Sequence, residues 1–140
     1  LSEASYRELG TFFNIVGVSY RNPLDMATTF LSVDVLARML HVLDRDPNVD
    51  SVVLEYSVVF LSRRPDWESG FCAQMAEILA EFRQSTRKPF LVALTAAHRE
   101  VIAAEVREQL ASQRIPTFPS FSRAARALSY AVARGPKAGD

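Results

Sequence analysis

The sequence predicts a three-layer α/β fold, a parallel sheet with helices on both faces. Two observations carry this. The first is the stretch Asp46-Pro47-Asn48-Val49-Asp50-Ser51-Val52-Val53-Leu54, in which a turn closes a long amphipathic run and opens a β-branched one. The second is the alternation of apolar runs with helix-periodic segments along the rest of the chain, the pattern of strands joined by right-handed helical crossovers.

Residues 1–22 form a lead-in segment, with a short amphipathic stretch from Tyr6 to Phe13, the extended Ile15-Val16-Gly17-Val18 and a turn at Arg21-Asn22-Pro23. From Thr28 to Leu43 the apolar residues Phe30, Val33, Leu36, Met39, Leu40 and Leu43 recur at three- and four-residue spacing, which places them on one helix face. Pro47 ends that helix, because proline disfavours the α region in the residue before it. Ser51 to Leu61 shows almost no alternation and reads as a strand buried on both faces. Asp66 is placed to cap the next helix, which shares Trp67, Phe71, Met75, Ile78, Leu79 and Phe82 on one face. Lys88-Pro89 marks the return, Phe90 to Leu94 is a second buried strand, and His98 to Gln113 is a helix using Ile102, Val106 and Leu110. Ile115-Pro116-Thr117-Phe118-Pro119 is a short strand whose prolines suit a sheet edge. Ser120 caps a last helix with the inward stripe Phe121, Ala124, Ala125, Leu128, Ala131 and Val132. Residues 135–140 are expected to be a disordered tail. The domain proper is therefore 23–134. Its layout is flavodoxin-like or Rossmann-like and, with only three strands, incomplete.

Sixteen basic and sixteen acidic residues give zero formal charge, so no whole-chain field attracts nucleic acid or an anionic membrane. The single cysteine, Cys72, excludes an internal disulfide, and no run approaches the ~20 apolar residues a membrane span requires. A cytoplasmic protein is expected, with no nucleic-acid or membrane partner and no metal site.

The order Asn22-Pro23-Leu24-Asp25, then Asp46-Pro47-Asn48-Val49-Asp50 before a valine strand, then Lys88-Pro89, then Ile115-Pro116-Thr117-Phe118-Pro119-Ser120 with Arg123-Ala124 resembles the carboxylate–CoA ligase domain of NDP-forming acyl-CoA synthetases. Succinyl-CoA synthetase belongs to that superfamily. The resemblance runs from about Ser19 to Ala133. It implies a domain fragment of an acid–CoA ligase, inactive alone and supporting acyl and phosphoryl transfer beside CoA-binding, phosphohistidine and ATP-grasp domains of the parent protein or its subunits. The parent enzyme would use CoA, nucleotide and magnesium, while this chain would hold none of them. The family's glycine-bearing loops read here as Phe60-Leu61-Ser62-Arg63-Arg64 and Thr95-Ala96-Ala97-His98, so the rival reading is a non-catalytic regulatory or protein-interaction module, with a homo-oligomer also open.

Three residues are candidate anion or phosphate ligands. Arg63 and Arg64 precede a helix start and can bind phosphate bidentately, or they are solvated loop charges. His98 stands at the strand end where open α/β sheets bind ligands, or it is a plain helix-start histidine. Asn22, Pro23 and Asp25 form the family-motif loop, with turn closure and capping as the structural reading. His41 is read as structural. No catalytic residue is assigned.

Overall fold

The computed structural model describes residues 1–13, 19, 21–25 and 32–134. The chain is α/β, with a three-stranded parallel sheet flanked by helices, as its sequence predicts. In order it contains α1 (Glu3–Phe12), α2 (Val33–Arg45), β1 (Val52–Ser57), α3 (Val58–Leu61), a wide π-type turn (Trp67–Phe71), α4 (Cys72–Ser85), β2 (Phe90–Thr95), α5 (Glu100–Ser112), β3 (Thr117–Phe118) and α6 (Phe121–Arg134). The expected extended segment 15–18, Phe30 and the tail 135–140 lie outside the described residues. Two compact units emerge, Leu1–Val52 with Glu68–Lys88, and Val53–Trp67 with Pro89–Asp140.

In the first unit α1 packs on α2, and α2 on α4. Ser2 caps α1 by accepting from the Ser5 amide, and Ser32 caps α2 by accepting from the Val35 amide. The segment expected to be a mere lead-in is core: Leu9 and Phe13 are fully buried with Met39 and Val42, and Phe12 and Leu24 pack against them. Four-residue spacing puts Leu9 and Phe13 one turn apart on the side of α1 that meets α2.

The turn after α2 owes its shape to Asp46, only 1% exposed. Its Oδ1 accepts from the Asn48 amide at 2.8 Å and its Oδ2 from the Ser2 amide at 2.7 Å. Burial pushes the Asp46 carboxyl up, but hydrogen bonds from the Ser5 side chain and from the Ser2 and Asn48 amides outweigh it and hold the group well below the ordinary carboxylate range. Lys88 completes the corner. Its Nζ donates to the carbonyls of Leu43 at 2.8 Å and Asp46 at 2.6 Å, so a cation closes the C-terminal end of α2 where the helix dipole favours one. Thr86 adds a hydroxyl bond to Asp44.

The second unit holds the sheet, in the order β1-β2-β3, with β2 and β3 parallel in register Val92↔Thr117 and Ala93↔Phe118. β2 is central and its residues from Phe90 to Leu94 are all buried, as a strand covered on both faces requires. β3 is a two-residue edge, with the Pro116 carbonyl accepting from the Val92 amide. β1 departs from expectation. It ends at Ser57, and it alternates, with Val52, Leu54 and Tyr56 buried while Glu55 is exposed. A strand with a single sheet neighbour keeps one apolar face, and Val58 to Leu61 turn into a short helix whose Val58 and Leu61 are buried.

The helix expected to start at Asp66 starts instead at Cys72, after the wide turn. Gly70 makes this possible with φ 152°, a backbone conformation that L side chains rarely adopt. A Cβ there would meet nothing within 4 Å, so any cost of Gly70→Ala is backbone strain, about 1–3 kcal/mol. A melting drop of several degrees is expected in that variant; an unchanged melt would mean that α4 starts without this turn.

α5 and α6 both pack on β2 and β3. The Arg123 amide donates to Ser120 Oγ at 3.4 Å, the expected cap. The inward stripe of α6 fails, however, in most of its length. Ala124 is buried and Leu128 half-buried, but Phe121, Ala125, Ala131 and Val132 are exposed.

Candidate functional site

Parallel strands deliver their connecting loops to one edge, so the loops after β1, β2 and β3 share the carboxyl end of the sheet, where open α/β folds bind ligands. The strand order does not reverse among β1, β2 and β3, and these three strands therefore form no switch-point crevice.

After β1, the loop 62–66 carries the two candidate arginines. Arg64 donates from Nε to Asp66 Oδ1 at 2.8 Å and from Nη2 to Asp66 Oδ2 at 2.6 Å, a bidentate pair. That hydrogen bonding from Arg64 holds the Asp66 carboxyl below its usual range. Asp66 is thus the counter-ion of Arg64, a role different from the expected cap. Arg63 is exposed, and the Ser62 hydroxyl is buried without a hydrogen-bond partner. Trp67, expected on the shared face of the next helix, is buried edge-on against Tyr56, with ring centroids 6.4 Å apart.

After β2, His98 is exposed in a tight turn that begins with Ala97 at φ 47°. α5 begins two residues later than the expected His98 start, at Glu100, with Arg99 before it making no side-chain cap. Between these strands Thr95 Oγ1 reaches Glu55 Oε1 at 3.5 Å. Arg63, Arg64 and His98 therefore share one sheet edge, but the Arg64 fork is filled. Phosphate groups of CoA or a nucleotide would find there the Arg63 guanidinium and the Ser62 hydroxyl, without a glycine-lined cradle of amides.

The family-motif loop belongs to the first unit. Asn22, Pro23 and Asp25 are exposed, the Asn22–Pro23 peptide is cis, and the Asp25 amide donates to the Ser19 carbonyl at 3.0 Å. A shallow groove of about 260 Å³ in that unit is lined by Glu8, Ala37, Arg38, His41 and Arg45. Arg38 lies 3.9 Å from the centre of the Phe12 ring, and Arg45 pairs with Glu8 at 2.7 Å. The spacing of Arg38, His41 and Arg45 at i, i+3 and i+7 marked one helix face; that α1 would wall it was not legible.

The chain matches no protein-family profile, no curated protein and no solved structure. The resemblance to the carboxylate–CoA ligase domain therefore rests on motif order, and several of its motifs have structural work here. Asp46 organises the turn into β1, Lys88 closes α2, and Ser120 caps α6.

The remaining site candidate is α6 itself. Its exposed surface runs from Phe121, 44% exposed, and Val132, 70% exposed, to Arg123, Arg126 and Arg134, with no acidic residue in the helix. The sequence showed the stripe, and the three arginines were the signal that the helix offers water more than a bare apolar side. Among the described residues no group of three or more His, Cys, Asp and Glu is placed to hold a metal ion, and no helix is long and apolar enough to cross a membrane.

Proposed function

We propose that this chain is a non-catalytic α/β interaction module, with α6 as its contact surface. The observation that carries this reading is the exposure of Phe121 and Val132 on the apolar side of α6, with the arginines of the helix on its opposite side. Burying such residues contributes about 1.5–3 kcal/mol each, and this chain leaves much of that unused. The filled fork of Arg64 and the exposed, isolated His98 support it further, since neither is poised for phosphoryl or acyl transfer. The rival, a fragment of an NDP-forming acid–CoA ligase working with partner domains, CoA, nucleotide and magnesium, is favoured by one feature, the buried Ser62 hydroxyl without a partner beside Arg63.

Site-specific photo-crosslinking in the native host tests the proposal. A cross-linking residue at position 132 is expected to trap a defined partner, while the same residue at the exposed Glu77 of α4 traps none. Equal trapping at both positions, or none at position 132, would remove α6 as the contact surface.

A further inference from the structure

We propose that the groove between α1 and α2 docks a short, extended acidic segment of a partner polypeptide, whose two carboxylates sit on Arg38 and Arg45. The groove belongs to the first unit, so this contact stands or falls without α6.

On α2, Ala37, Arg38, His41 and Arg45 stand at i, i+1, i+4 and i+8, within about 100° of the helix circumference, and form one wall. α1 brings Glu8 to the groove and, one turn on, Phe12 beneath Arg38. The short side chain of Ala37 leaves a volume of about 260 Å³ among these longer ones. The Arg38 guanidinium lies over the Phe12 ring, 3.9 Å from its centre, so one face is held while its in-plane N–H groups have no acceptor among the described residues. A guanidinium stacked in this way is preformed for bidentate contact with a carboxylate. Arg45 is oriented too. Its Nε donates to the His41 carbonyl at 3.3 Å and its Nη2 to Glu8 Oε1 at 2.7 Å. Glu8 stands where an incoming carboxylate would stand. Both members of that pair are exposed, and such a pair contributes about 0–1 kcal/mol, so exchanging one carboxylate for another costs little.

The spacing of charge names the occupant. Arg38 and Arg45 lie about 10.5 Å apart along α2 at the helical rise per residue, with the His41 imidazole between them as a further hydrogen-bonding group. In a polyproline II segment residues i and i+3 share one side about 9.3 Å apart, so two acids separated by two residues place a carboxylate at each arginine. A groove of this volume takes a few residues of extended chain and not a helix, which is about 10–12 Å across. Asp34, exposed one turn before Arg38 and without an ion pair among the described residues, joins Glu8 in bounding the strip with negative charge. Those two acids oppose the dense charge of a nucleic-acid backbone and leave room for two spaced carboxylates.

Amide NMR of the 140-residue chain titrated with the capped peptide Glu-Pro-Pro-Glu tests this. At low salt the amides of Glu8, Ala37, Arg38, His41 and Arg45 are expected to shift together, with a Kd on the order of 1 mM. Salt at about 0.5 M should remove the shifts, and capped Gln-Pro-Pro-Gln should produce none. Arg38→Gln should weaken binding about threefold, whereas Glu8→Gln should strengthen it about threefold by releasing Arg45. Both positions are exposed, so both variants should keep the parent's spectrum outside the groove. The proposal is overturned by an absence of shifts with Glu-Pro-Pro-Glu, by equal shifts with the glutamine peptide, by binding that Glu8→Gln fails to strengthen, or by tighter binding of a short oligonucleotide.

Discussion

Ala93→Asp is expected to abolish cooperative folding of the second unit. Ala93 is fully buried in β2, the central strand, so the substitution places a carboxylate with no cationic partner where both faces of the sheet are covered. An unpaired buried charge costs several kcal/mol and the larger side chain adds strain, against a total stability of about 5–15 kcal/mol for an ordinary domain. Far-ultraviolet circular dichroism should show no sharp melt. Val53→Asp in β1 should be milder, because Val53 is half-buried on the side of the strand that also exposes Glu55. If both variants melt alike, β2 is not the centre of the sheet.

Asp46→Ala should be the next most damaging change. It strips the acceptor from the Ser2 and Asn48 amides and from the Ser5 side chain at a site 1% exposed, at a cost of about 2–4 kcal/mol. The pH dependence has a definite sign. A carboxyl depressed in the folded state binds fewer protons there than in the unfolded chain, so its stabilisation is complete above the unfolded value near 4 and fades as pH falls toward the folded one. Denaturant titrations stepping down from pH 7 should find the parent losing stability in acid more steeply than Asp46→Ala. Parallel losses would mean that Asp46 does not carry the depressed carboxyl.

Where one residue type admits one environment, the sequence was readable. The unbroken apolar run from Phe90 to Leu94, short and opened by Lys88-Pro89, reads as a doubly covered strand, and β2 is that strand. The run through Val58 and Phe60 looked the same, yet it bends into α3, because apolarity marks burial without choosing between strand and helix over four residues. The pairing of Arg64 with Asp66 was hidden because both residues had local roles in isolation, anion ligand and helix cap, and their mutual ion pair displaces both. Lys88 was visible only as a neighbour of Pro89; its bonds to Leu43 and Asp46 span more than forty residues. α6 teaches the sharpest distinction. A stripe at helical spacing says which side is apolar, and nothing in it says whether this chain covers that side.

The central claim, that the apolar side of α6 serves a partner and not the core, is tested most directly by the thermal melt of Val132→Asp. At a position 70% exposed a charge should change stability by less than about 0.5 kcal/mol and the midpoint by no more than about 2 °C. A melt that collapses or falls by about 10 °C or more would put Val132 in the core, return the stripe to the inward role its sequence predicts, and contradict the interaction surface.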